Sequence, residues 1–437
     1  MTTRRLLGAT ALLCVILSVT IGGRAYAEGE DIAFSSQLDE LQQQVDELRE
    51  VQRGENGLHW YWNDGMRLNN ADETFKLRWG GRIHNDYSFY VQDDELTASL
   101  GGAEMSDGTE FRRAEFYCEG LIHDSVGYKI ELEFAGGLAF EDVFISLLDL
   151  PFGTLRVGFD EEELSMDELT SNKYITFMER SLTTVFKPGH STGVSLRKTL
   201  FDRRFRWTIG VFKDTGKFGE SNPLSGKDFS TTGRVSFLPI YRDGGRQLLH
   251  IGMAGTYRRP RGDAVDYKMR PESHMAMNMA GTGPITTERL LLTDFEIAFV
   301  RGPLHVQTEY VMASIDRPTG SDARLWGYYV HAGYFLTGEH KPYDQGDGVF
   351  GRLKPTNNFG GGEGFLGGGA WEVAARYSRI DFIDADIAGG KLDSFTLGLN
   401  WYLNPNTRIM FNQVYSKGYE RFPGTLCTTQ MRIQIDF

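Results

Sequence analysis

About sixteen stretches of this chain alternate apolar and polar residues with a period of two, and that repetition restricts the fold more than any other feature. The last stretch, TTQMRIQIDF, is the cleanest. Met431, Ile433, Ile435 and Phe437 share one parity, and Gln430, Arg432, Gln434 and Asp436 the other. Successive side chains of a β-strand point to opposite faces, so each stretch reads as a strand with one greasy and one wet face. In FKLRWGGRIHNDYSFYV, Phe75, Leu77, Trp79, Ile83, Tyr87, Phe89 and Val91 oppose Lys76, Arg78, Arg82, His84 and Asp86. The pattern places strands near 75–91, 110–123, 126–135, 139–148, 153–160, 191–200, 204–214 and 229–241. The second half continues at 246–259, 287–300, 303–315, 323–337, 368–381, 391–403, 407–417 and 426–437.

The connections alternate too. HDS, DLPFG, FDR, YRDGG, RGP and NPN are tight turns, with longer segments near 92–109, 161–190, 215–228 and 260–286 between them. Short turns on one rim and long loops on the other are the signature of an up-and-down outer-membrane barrel. Two connections break the rule: 136–138 is short where a long loop is due, and 338–367 is long on the short-turn side. In a bilayer every backbone polar group must be paired, so a strand-built span has to close. A final strand with an apolar outward face and an aromatic last residue, Phe437, suits closure against the first strand at the short-turn rim. A soluble β-sandwich or repeat protein would explain the alternation but not the loop lengths.

Ahead of the strands, RRLLGATALLCVILSVTIGGRAYAEG has a basic start, an apolar core and the small-x-small site Ala25-Tyr26-Ala27, a secretory signal peptide over 1–27. Residues 28–56 contain Leu38, Leu41, Val45 and Leu48, spaced as a short coiled-coil seam facing the periplasm. The remainder, 57–437, is the barrel. Loss of the leader removes Arg4, Arg5 and Arg24 and no acid, taking the formal charge from −13 to −16 and arguing against nucleic acid as a partner. Cys118 and Cys427 are too few for a disulfide framework, and the nine histidines are scattered, so no metal or cofactor is expected. Neither a phosphate loop nor a legible nucleophile constellation is present, which argues against an enzyme. MRPESHMAMNMAGTG (269–283) offers no role beyond flexible packing, and the glycine run NFGGGEGFLGGGA (358–370) is expected to help the chain turn into the barrel.

FKLRWGGRIHNDY, FRRAEFYCEG, YKIELEFAGG, LRVGF, ELTSNKYITFMERS, GAWEVAARYSRIDF, LGLNWYLNPNTRIMFN and MRIQIDF, in order from about residue 57 to the end, resemble the phosphate-selective porin O and P family. The resemblance implies an all-β, sixteen-stranded antiparallel transmembrane barrel, a homotrimer in the lipid of the outer membrane. It also implies that the third long loop, here 161–190, folds inward as a constriction loop.

Lumen-facing cations attract small anions, and the planar fork of arginine suits phosphate. Lys76, Arg78 and Arg82 on the first strand, Arg113 on the second and Lys129 on the third fall on the wet parity. Inward residues of one strand stand about 6.6 Å apart, close enough to pass an ion along, and the resemblance implies such a basic ladder for phosphate. Against anions stands RVGFDEEELSMDEL. The family pattern carries a basic residue after R-V-G, whereas here Asp160, Glu161, Glu162 and Glu163 follow Phe159. These acids repel phosphate unless they turn away or pair with Lys173, Arg180, Lys187 or the wall; a solvated outer face is the plainer alternative. Glu115, Glu119, Glu131 and Glu133 also fall inward and make the lining mixed. The expectation is a passive outer-membrane channel for small ions, anions such as phosphate first. A general or cation-preferring porin, or an envelope anchor tethered through the coiled coil, is the alternative.

Overall fold

The structure, a computed structural model, describes residues 42–43, 57–221, 228–361 and 368–437. The chain divides into units 1–60 and 61–437. The expected signal peptide lies outside the described residues. Of the expected coiled coil only Gln42 and Gln43 are described, both helical.

In the second unit sixteen strands follow one another: β1 (Phe75–Gln92), β2 (Gly108–Ile122), β3 (Val126–Glu133), β4 (Ala139–Leu150), β5 (Gly153–Glu161), β6 (His190–Leu200), β7 (Phe205–Lys213) and β8 (Phe229–Arg242). The others are β9 (Gln247–Arg258), β10 (Arg289–Arg301), β11 (Leu304–Asp316), β12 (Ala323–Phe335), β13 (Ala370–Asp384), β14 (Ile387–Asn404), β15 (Thr407–Tyr419) and β16 (Gly424–Asp436). Each pairs antiparallel with the next, and β16 returns to β1 in a register running from Leu426 opposite Gln92 to Asp436 opposite Arg82. The sheet is closed, so the backbone presents no unpaired edge to lipid. A short strand, Met66–Asn69, adds to the start of β1.

The alternation sorts as its chemistry demands. Ile83, Phe89 and Val91 of β1 are exposed on the outer surface, while His84, Asp86 and Ser88 between them are buried in the lumen. On β16, Ile433 and Ile435 are exposed, as is Phe437 just beyond it, while Arg432, Gln434 and Asp436 are buried. Phe437 completes the closure: its N–H donates to Gly81 O at 3.0 Å and its carbonyl accepts from Gly81 N–H at 2.8 Å. A Cβ on Gly80 would overlap that carbonyl, and one on Gly81 would lie 2.9 Å from the Phe437 ring. The glycine pair of RWGGR is therefore the notch that admits the terminal residue.

One register shift matters for the lumen. His84 faces Arg113 but Asn85 faces Phe111, so Arg112 is the extra residue of a β-bulge. The bulge turns two successive arginines, 112 and 113, inward where strict alternation allows one.

Both irregular connections are real. The 134–138 link is short on the long-loop rim, as are 317–322, 385–386 and 420–423. The 336–369 connection is long on the short-turn rim because its described part around 339–353 enters the barrel. With 162–189 and 259–288 it makes three inward-folded segments. Phe186, Met279 and Ala280 of these segments pack on Leu290, Leu292, Val311, Leu325 and Phe382, at the long-loop ends of β10 to β13. Tyr343, Val349 and Phe350 pack with Met166 on Leu248, Ala298 and Val300 nearer the other rim. Each large apolar side chain buried this way contributes about 1.5–3 kcal/mol, which accounts for apolar residues on the inward parity of a porin-like wall. The Met-rich stretch that suggested only flexible packing is thus the core of a plug. Of the glycine run, residues 362–367 lie outside the described ones.

Candidate functional site: a channel along the β1–β7 wall

With the far half of the barrel filled, water-accessible space runs down the wall of β1 to β7 as three cavities that share lining residues. The inner one, about 320 Å³, opens toward the short-turn rim and is lined by Arg67, Lys76, Arg78, Lys129 and Arg156, with Glu119 as its one carboxylate among the described residues. The middle one, about 580 Å³, meets it at Glu119, Lys129, Phe144 and Arg156. The outer one, about 560 Å³, is lined by six cations (Arg112, Arg113, Arg180, Lys187, Lys268 and Arg270) and three carboxylates (Glu168, Glu179 and Glu272). Middle and outer cavities meet at a neck of Arg113, Glu168, Arg180 and Lys187. Both mouths therefore carry a surplus of positive charge. The middle cavity does not: its eight Arg and Lys residues face ten Asp and Glu residues.

The neck exists because residues 162–189 cross the lumen, a helical turn at Met166–Leu169 and a 3-10 turn at Leu182–Phe186 flanking a stretch whose carbonyls are caught by surrounding side chains. Gln434 donates to Lys173 O at 3.0 Å, Arg408 to Ile175 O at 2.7 Å and Asn400 to Thr176 O at 2.8 Å. Arg432 donates to Met178 O at 2.5 Å and Arg376 to Glu179 O at 3.0 Å. Lys341, from the 336–369 segment, donates to Tyr174 O at 2.9 Å. These cations hold the loop backbone and do not line the channel.

The acidic run is the other half of the attachment. Asp160 accepts from Arg156 and Arg197, each at 2.9 Å. Glu161 pairs with Lys187 at 3.0 Å. Glu162 turns into the wall, accepting from Arg258 at 2.6 Å and Thr232 at 2.6 Å. Glu163 takes both terminal nitrogens of Arg206, at 2.5 and 2.7 Å, and the Thr208 hydroxyl at 3.0 Å. Burial alone would raise the Glu163 carboxyl, but Arg206 and Arg197 overcome it and hold it well below the usual range. Asp160, Glu162 and Glu163 are buried, Glu161 is half-buried, and all four are paired; the run is not a solvated outer face.

Five predicted wall cations occupy different stations. Lys76 and Arg78 line the inner mouth, Lys129 the junction with the middle cavity, and Arg113 the neck. Arg82 also borders the middle cavity, but its guanidinium is gripped by Glu115 at 2.8 Å, by Glu131 and by Asn172 Oδ1 at 2.7 Å, which makes it a loop anchor. Lys129 bridges Glu131 and Asp142, both at 2.5 Å. Of the predicted loop residues, Arg180 and Lys187 stand at the neck and clasp Glu168, whose carboxyl burial would raise but these two cations hold at about 2. Lys173 points away from the neck, 5.3 Å from the Tyr117 ring centroid, and burial together with Arg82 lowers it to about 7. Arg112 escaped the alternation because the bulge reverses its parity; Arg156 sits in LRVGF, on the strand that leads into the acidic run. Lys268 and Arg270 belong to a plug whose placement has no local signal.

Residues 77–431 match the phosphate-selective porin O and P family. The chain belongs to that family. An uncharacterised protein of Caulobacter vibrioides is 28% identical over 365 residues, covering 80% of this chain and 70% of its own. Porin O of Pseudomonas aeruginosa is 24% identical over 398 residues, covering 81% and 85%. Among solved structures, the anion-selective porin of Comamonas acidovorans superimposes with a TM-score of 0.54 at 15% identity, over 83% of this chain and 100% of that one. The protein is thus an outer-membrane porin of sixteen strands, a channel by family.

Proposed function

We propose that the channel passes small inorganic anions, phosphate among them, by diffusion along the β1–β7 wall. The observation that carries this is the charge profile. Both mouths hold more cations than carboxylates, and the neck sets Arg113, Arg180 and Lys187 around Glu168. A low-dielectric wall focuses that field, so anions concentrate at each mouth relative to cations. Three cationic donors at one constriction also suit a multiply charged oxyanion better than chloride. The carboxylates of the middle cavity keep the field from becoming a trap, since an ion must leave as readily as it enters. Residues 161–190 serve as the constriction loop, and the acidic run Glu161, Glu162 and Glu163 serves to fasten it.

A homotrimer is part of this reading. The eight residues of β3 cover about 26 Å along the strand, and less across a membrane once tilted. A wall that low, carrying exposed Ile130, Phe134 and Leu138, is better matched to a neighbouring barrel than to lipid. The signal peptide at 1–27 and a periplasmic coiled coil at 28–56 complete the proposal.

The test is the zero-current potential of the purified protein in a planar bilayer under a potassium chloride gradient. A potential of the sign for chloride permeation supports the reading; one of the sign for potassium overturns it.

A further inference from the structure

Away from the channel, β10 and β11 bring three carboxylates together on the inward face. Glu296 stands directly opposite Glu309 in the register, and Asp294 lies one inward position along. One oxygen from each of Asp294, Glu296 and Glu309 falls within 4.8 Å of the others, and all three residues are buried. Like charges opposite one another across a ladder repel, and burial makes the repulsion worse.

The surrounding donors leave part of this cluster unserved. Glu309 is well supplied: Ser165 Oγ donates at 2.5 Å, Asp167 N–H at 2.7 Å and the Tyr329 hydroxyl at 2.6 Å. Glu296 receives Arg234 at 2.7 Å and His250 at 3.0 Å, all on Oε1. Among the described residues its Oε2 has no hydrogen-bond partner, and no N–H or hydroxyl donates to either oxygen of Asp294, which is wholly buried beside the Glu309 carboxyl. Three buried carboxylate oxygens, two of Asp294 and one of Glu296, thus receive no N–H or hydroxyl from the described residues.

We infer that Asp294, Glu296 and Glu309 form a binding site for a divalent cation of hard, oxygen-seeking character, calcium or magnesium. The geometry fits calcium: oxygens up to 4.8 Å apart can share an ion whose metal–oxygen bonds are about 2.3–2.6 Å, whereas magnesium, at about 2.0–2.1 Å, requires the carboxylates to draw closer. The charge fits too. Arg234 is the one Arg or Lys hydrogen-bonded to these carboxylates among the described residues, so three negative charges meet one positive and two remain for the ion. An all-oxygen donor set disfavours softer transition metals. Because Glu309 also holds Ser165 and the Asp167 backbone, the ion braces the point where residues 162–189 begin to cross the lumen. It is a structural site, separate from the anion path.

The experiment uses full-length protein in detergent, treated with EDTA, dialysed, and titrated calorimetrically with calcium chloride and separately with magnesium chloride. One ion bound per chain is expected, with a raised unfolding temperature. Asp294→Asn should weaken binding at least tenfold and abolish the rise, while Glu95→Gln, on an outer-loop helix, leaves both unchanged. Absence of calcium and magnesium binding by the wild type would overturn the inference and leave a proton shared between carboxyls. Wild-type binding in Asp294→Asn would overturn it by placing the ion elsewhere. Should Asp294→Asn not fold, Asp294→Ala carries the same test.

Discussion

Glu163→Gln separates two roles for the acidic run. If Glu163 acted as a charge at the channel mouth, its neutralisation would raise anion preference and leave the protein otherwise intact. The structure makes it a fastener. Its carboxylate takes two nitrogens of Arg206, whose side chain is 5% exposed, and lies 3.2 Å from Arg197. Removing one partner of a buried ion pair costs about 3–5 kcal/mol. Arg206 keeps its bond to Gly346 O at 2.9 Å and can still donate to the glutamine carbonyl, so the cost falls below that range, to about 2–3 kcal/mol. At about 1.4 kcal/mol per factor of ten, the population with a loosened loop grows roughly 30- to 150-fold. In single-channel recordings the variant should flicker between substates and unfold at a lower temperature, with no gain in anion preference. A quiet channel of wild-type thermal stability and greater chloride preference would refute the fastening argument.

Arg113 stands at the neck and, among the described residues, has one ion pair, 3.3 Å to Glu115, so Arg113→Gln should lower anion preference without loosening the loop; an unchanged zero-current potential would remove it from the path. The loop carboxyls Glu163, Glu168 and Glu179 are all held below their ordinary values by arginine and lysine partners, against the opposing effect of burial. Their stabilisation is therefore complete above the unfolded carboxylate value of about 4.3 and is lost as pH falls toward 2. Current noise should rise steeply between about pH 4 and 2.5, and a trace as steady there as at neutrality would contradict the pairing. Glu272→Ala leaves the buried Arg376 without the carboxylate that holds it at 2.5 Å. The 259–288 plug should then loosen and conductance increase; identical conductance and stability would show that Glu272 does not pin it. Deletion of Phe437 removes both backbone bonds to Gly81 and should cut the yield of folded barrel, as read by heat-modifiable mobility on gels.

The barrel was legible because a membrane wall imposes one simple rule on every strand. Outward residues are apolar whatever the neighbouring strand contains, so Ile433 and Ile435 or Phe89 and Val91 announce their face locally. Two of the loop-length exceptions were visible, though only the structure explains the long one, which enters the lumen; the short connections 317–322, 385–386 and 420–423 carried no such mark. The channel was legible only in part. Period two placed Lys76, Arg78, Arg113 and Lys129 inward, but it cannot tell a cation facing water from one clamping a carbonyl. Arg82, Arg376, Arg408 and Arg432 look alike in sequence and differ in what the inward-folded segments bring to them. Arg112 was hidden by a bulge, a one-residue event that reverses parity without a sequence mark. The acidic run could be read as repulsion or attachment until its partners Arg206 and Arg258, more than forty residues away, were in place.

The central claim is that ions follow the β1–β7 wall past the neck, and cysteine accessibility tests it most directly. In a background with Cys118 and Cys427 replaced by serine, Ser171→Cys lines the middle cavity, whereas Ser416→Cys is wholly buried on β15 in the filled half of the barrel. A negatively charged methanethiosulfonate reagent should reduce anion current through Ser171→Cys and leave Ser416→Cys unaffected. Block at position 416 with none at 171 would place the path through the filled half and contradict the account.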